Sequence, residues 1–121
     1  MRAGLGCRVA IFRPMSEIQQ WRATIDAVET EILDALTRRA EAAAKIGAWK
    51  RQEGLPVLDP RREQEILERV ARRNPGPLSA ESVQRIFATI IEETRCYEES
   101  VHRNADDSTT GAGEGSGSRK P

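Results

Sequence analysis

From Ile18 onward the apolar residues step by three and four: Ile18, Trp21, Ile25, Val28, Ile32 and Ala35. The next step lands on Arg39, and the rhythm resumes at Ala42, Ile46 and Trp49. This spacing predicts one long amphipathic helix. Ser16 with Gln19 makes a capping box at its start, and Gly54 with Pro56 stops it, so the predicted helix covers 17–52. A second helix opens at Asp59-Pro60, a carboxylate N-cap followed by proline at the first helical position, and ends at Asn74-Pro75-Gly76-Pro77. Its apolar face carries Ile66, Leu67 and Val70. The third starts at Ser79, where Leu78 and Val83 stand as a hydrophobic staple around the cap. Its inward stripe is Val83, Phe87, Ile90, Thr94, Tyr97 and Glu98. No period-two run occurs, so the predicted class is all-α with three helices, one of them very long.

A helix over 17–52 spans about 50 Å, which the two shorter helices barely match. Much of its apolar stripe stays wet in a lone chain. A second copy packed with two-fold symmetry covers it economically, which predicts an interlocked homodimeric helical bundle. A monomeric three-helix bundle is the alternative.

The polar residues that interrupt the stripes carry the chemical information. Arg39 and Lys50 lie eleven residues apart in the long helix. At ~100° per residue they share one face, roughly 16 Å apart along the axis. Two cations on an inward face need an anion between them, from the chain or from a ligand, because a buried unpaired charge is very costly. Glu63 shares the apolar face of the second helix, with Asp59 and Arg62 around the same first turn. Thr94 and Glu98 form an i, i+4 pair on the third, and Arg22 sits beside the seam of the first. Each has a plain reading. Asp59 is an N-cap, and Glu63 neutralises Arg39 or Lys50. Arg62, Glu98 and Arg22 point to water, and Thr94 bonds back to its own helix. Taken together they place four cations and three carboxyls along or beside apolar stripes, which a purely structural bundle does not need.

Composition narrows the function. The 121 residues carry 19 basic and 19 acidic side chains, a zero balance that argues against a nucleic-acid binder. No apolar run is long enough to span a bilayer. Cys7 and Cys96 are isolated thiols without metal-ligand spacing, which points to no metal site and to a reducing, cytoplasmic setting. The apolar part of the first fifteen residues is too short for a signal peptide, so 1–15 reads as a disordered extension or as sequence upstream of a start at Met15. Residues 104–121 are Gly, Ser, Thr and charge and read as a disordered tail, which leaves 16–103 as the folded domain. His102 is the only histidine, placed at a fraying helix end. Nucleophile–base pairs, metal clusters and Gly-rich phosphate loops are all missing from the sequence. The remaining donors suit a reaction that needs positioning and electrostatic stabilisation alone.

The matching text is Trp21-Arg22-Ala-Thr-Ile25-Asp26, then Arg38-Arg39 through Ile46-Gly47 to Lys50. It continues as Val57-Leu58-Asp59-Pro60-Arg61-Arg62-Glu63 and Asn74-Pro-Gly-Pro-Leu78-Ser79, with Ile86-Phe87 and Ile90-Ile91 leading to Thr94 and Glu98. Over 16–101 the chain resembles the all-helical chorismate mutases. The resemblance implies two interlocked chains with two active sites, and a cofactor-free Claisen rearrangement of chorismate to prephenate, on the route to phenylalanine and tyrosine. It implies that Arg39 clamps one substrate carboxylate and Arg22 of the partner chain the other. Lys50 donates to the ether oxygen and a carboxylate. Glu63 holds the ring hydroxyl, with Asp59 at the same end. Arg62 lies on the ligand side, Thr94 contacts a carboxylate, and Ile46 and Ile91 form apolar walls. Glu98 departs from the glutamine of many members and must be protonated to donate to the ether oxygen. Two other readings stay open. One is a mutase or lyase acting on 4-amino-4-deoxychorismate or isochorismate. The other is a regulatory module docked on an upstream shikimate-pathway enzyme.

Overall fold

Helix ends are set by a few residues that satisfy orphaned backbone groups, and this chain supplies them in order. The computed structural model describes the backbone of residues 2–118 and the side chains of 16–108. The elements are α1 (Arg2–Gln52), α2 (Pro60–Arg73) and α3 (Ala80–Ser118), and no strand occurs among the described residues. The helices expected from the sequence are all present. Two bounds differ. Helical backbone begins at Arg2 rather than at Ser16, and α3 runs on to Ser118. Ser16 is therefore inside α1 rather than its N-cap. The hydrogen-bond ladder of a helix is local, so it continues where no packing stripe exists to announce it.

The chain falls into two compact units, Met1–Thr37 and Arg38–Pro121. In the first, the hydroxyls of Thr24, Thr30 and Thr37 donate to the carbonyls four residues back. Its apolar stripe lies open, with Trp21 at 66% and Ile25 at 54% exposure.

The second unit holds the rest of α1 with α2 and α3. At the end of α1 the Leu55 N–H donates to the Lys50 carbonyl at 2.7 Å and the Gly54 N–H to that of Arg51 at 3.2 Å. That pair of bonds is a Schellman closure, and it puts Gly54 in the left-handed region at φ 70°. Asp59 caps α2, its Oδ1 accepting from the Arg62 N–H at 3.1 Å. Between α2 and α3, the Asn74 side chain accepts from the Gly76 N–H and donates to the Leu78 carbonyl. Ser79 then caps α3 through the Ser82 N–H at 3.0 Å. α2 packs on α3, pinned by a hydrogen bond from Gln84 Nε2 to the Leu67 carbonyl at 3.1 Å. Ile66 is the buried hydrophobic side chain among the described residues. Among the described residues no helix is long and apolar enough to cross a membrane.

A Cβ added at Gly54 meets nothing within 4 Å, so a substitution there acts through the backbone alone. Gly54→Ala should lower stability by about 1 kcal/mol, the left-handed cost of an L-residue. Chemical denaturation checks this, with the midpoint expected to fall and the slope to stay unchanged.

Candidate active site

The Arg38–Pro121 unit contains a cavity of about 550 Å³ built from all three helices. The last turns of α1 supply Arg39, Ile46, Gly47, Lys50 and Arg51. The start of α2 supplies Asp59, Arg62, Glu63 and Ile66, and α3 supplies Ile91, Thr94, Arg95, Glu98 and Glu99. The eleven-residue spacing thus brings Arg39 and Lys50 to one wall, as helical arithmetic requires. Every candidate named from the sequence lines this cavity except Arg22, which is exposed on α1 within the Met1–Thr37 unit.

The polar contacts resolve several open readings. Arg39 Nη1 donates to Thr94 Oγ1 at 3.1 Å, while the Thr94 hydroxyl donates to the Ile90 carbonyl at 2.6 Å. Thr94 therefore bonds back to its helix and also orients Arg39. Asp59 both caps α2 and faces Lys50, with Nζ 3.8 Å from Oδ2. Glu63 pairs with neither Arg39 nor Lys50. Its Oε2 accepts from Arg95 Nη2 at 2.6 Å. Arg62 is largely exposed, with Nη1 3.6 Å from Glu65. Glu98 is half-buried rather than turned to water, and its Oε2 lies 2.9 Å from where a Cβ on Gly47 would stand.

Burial shapes the charges. It pulls the Arg39 guanidinium below its ordinary range, and the neighbouring cations Arg62 and Arg69 act in the same direction, with Glu98 opposing. The group stays charged, so the wall it forms favours an incoming anion. Burial also pushes the Glu98 carboxyl upward, against the pull of Arg51, Lys50, Arg95 and Arg39. The upward shift favours the neutral, hydrogen-bond-donating form relative to an exposed glutamate. The apolar side chains of Ile46, Ile66 and Ile91 complete the lining. No group of three or more His, Cys, Asp or Glu side chains among the described residues is placed to hold a metal ion. His102 pairs with Asp106 at 3.2 Å, away from the cavity lining, and Cys96 is exposed.

Arg95 and Gly47 are two contributors to which the sequence reading gave no role. Arg95 follows Thr94 directly, about 100° off the apolar stripe, and reaches the cavity through its length. Gly47 stands mid-helix, where a glycine costs helix stability without making a turn, and that cost is its one signal.

The chain and its fold have counterparts among known proteins. The family model for chorismate mutase type II matches residues 21–99. The chain belongs to the type II chorismate mutase family. It is 34% identical over 91 residues to a bifunctional chorismate mutase/prephenate dehydratase of Aquifex aeolicus, covering 72% of this chain and 25% of that protein. The chain thus spans about a quarter of that bifunctional relative. A solved chorismate mutase structure from Thermus thermophilus superposes with a TM-score of 0.67 at 36% identity, covering 69% of this chain and 94% of that one. A 4-amino-4-deoxychorismate mutase of Streptomyces venezuelae is 33% identical over 57 residues, 47% of this chain and 55% of that protein.

In this family member the Glu98 carboxyl and the bare Gly47 backbone fit as a pair. Because the folded state raises the Glu98 pKa, the neutral acid is the form the fold favours. Its contribution to stability is present at low pH and lost as pH rises through the raised value. Glu98→Gln should remove that loss, which denaturation midpoints at acid and neutral pH measure against wild type. Gly47→Ala should cost little stability, because the flexible carboxyl yields, but it should return the Glu98 titration toward the ordinary glutamate range. Carbon-detected NMR titration reads that change, and an unmoved midpoint would refute the close fit.

Proposed function

We propose that this chain is a chorismate mutase that rearranges chorismate to prephenate without cofactor or covalent intermediate. The observation that carries the reading is one cavity in which two cations, Arg39 and Lys50, stand with a carboxyl held toward neutrality, Glu98, between apolar walls. The substrate is a dicarboxylate, and negative charge grows on its ether oxygen as the C–O bond breaks. Arg39, oriented by Thr94, clamps a carboxylate. Lys50 donates to the ether oxygen from one side and protonated Glu98 from the other. Losing one such donor typically costs about a hundredfold to a thousandfold in turnover. Glu63 and Asp59 hold the ring-hydroxyl end, Arg62 adds positive potential at the rim, and Ile46 and Ile91 keep the ring in place.

The second substrate carboxylate requires a further cation, and Arg22 of a partner chain supplies it in a homodimer of two composite sites. The open stripe Ile18, Trp21, Ile25, Val28 and Ile32 supports such a partner, since exposed apolar patches of this extent mark association surfaces. The catalytic domain is assigned to 16–103, and the reaction to the cytoplasm. The similarity to a 4-amino-4-deoxychorismate mutase keeps the amino analogue as the second reading of the same cavity.

Purified protein should consume chorismate, followed by absorbance, with prephenate identified as product. Its activity should be highest on the acidic side and fall as pH rises through the Glu98 pKa, because only the neutral carboxyl donates. Glu98→Gln should stay active and lose that fall. An unchanged pH profile in the variant would leave Lys50 as the ether-oxygen donor by itself.

Arg22→Ala and Arg39→Ala proteins should each be nearly inactive yet folded. Mixing them should restore activity as subunits exchange, since one site of each heterodimer then receives no substitution. No recovery after verified exchange would refute the composite site.

A further inference from the structure

The acids at the ring-substituent end of the cavity are both matched by cations. Glu63 Oε2 sits 2.6 Å from Arg95 Nη2, and Asp59 Oδ2 sits 3.8 Å from Lys50 Nζ. Arg95 is held in turn by Glu92, whose Oε2 accepts from Nη1 at 3.0 Å. Resting on the mutase reading, we propose that Arg95, by pairing with Glu63, makes this end of the cavity selective for a neutral ring hydroxyl and against a ring ammonium.

Charge balance separates the two substituents. A hydroxyl needs only an acceptor, and the pair uses Oε2 of Glu63 while Oε1 keeps its lone pairs. An amine on a saturated ring carbon is protonated at neutral pH and needs surplus negative charge beside it. Here it meets a carboxylate already neutralised and a guanidinium within a side chain's length. The Glu63 hydrogen bond raises the Arg95 pKa further, so the cation is permanent. Like charges brought together in a partly buried site repel strongly enough to decide between substrates. Arg95 is thus a specificity residue acting through Glu63. A mere clip between α3 and α2 would affect both substrates alike.

The test compares kcat/KM for chorismate and for 4-amino-4-deoxychorismate at neutral pH in wild type, Arg95→Gln and Arg95→Lys. Wild type should favour chorismate. Arg95→Gln frees the Glu63 charge and should move the ratio toward the amino compound by on the order of tenfold. Arg95→Lys keeps the cation and should keep the preference. A ratio unmoved in Arg95→Gln, a lysine variant that behaves like the glutamine one, or a wild type preferring the amino compound would each overturn the proposal. Should Arg95→Gln fail to fold by circular dichroism, Glu63→Gln leaves Arg95 paired with Glu92 alone and must sharpen the discrimination against the amine. If wild type converts neither compound, the mutase reading fails separately. The same ratios, read as dissociation constants by calorimetry, then decide the role of Arg95.

Discussion

Two helix ends placed against each other govern this molecule. The C-terminus of α1 closes with the Lys50 carbonyl accepting from Leu55, and α2 opens with Asp59 accepting from Arg62. The same residues that complete the backbone therefore aim Lys50 and Asp59 at one space, 3.8 Å apart. A cap is a stiff device, because its geometry is fixed by short hydrogen bonds to the main chain. The charged end of the cavity thus takes its precision from the local chain rather than from a large core. It needs that source, since Ile66 is the buried hydrophobic side chain among the described residues.

Around this corner the charges fall into two kinds. Glu63, Asp59 and Arg95 each have an opposite charge at hand. Arg39 is turned toward a hydroxyl, Thr94, and has cations among its nearest charged neighbours. The arrangement is complete at one end and short of negative charge at the other. Glu98 lines the same cavity, and desolvation outweighs four nearby cations in setting its proton affinity.

The sequence disclosed what obeys a period. Arg39 and Lys50 were legible because eleven residues is nearly three full turns, and Glu63 and Glu98 because each lies on an apolar stripe. The three helices followed from Gly54, Asp59-Pro60 and Ser79, whose roles are local. Arg95 was not legible. It sits off the stripe, and only the approach of α2 to α3 gives it Glu63 as a partner. The partner of Glu63 was hidden for the same reason, since periodicity names faces and says nothing of which long side chain crosses a gap. The upstream extent of α1 was hidden because a helix without a packing stripe leaves no periodic trace.

Gly47 links two positions on different helices that share a single volume. The 2.9 Å between its missing Cβ and the Glu98 carboxyl leaves no room for both a side chain at 47 and a long acid in its present pose at 98. A methyl at 47 therefore obliges the Glu98 carboxyl to move, which couples the two sites. These two positions, fifty-one residues apart in the chain, thus form one packing unit, in which the size of one side chain sets the room left for the other.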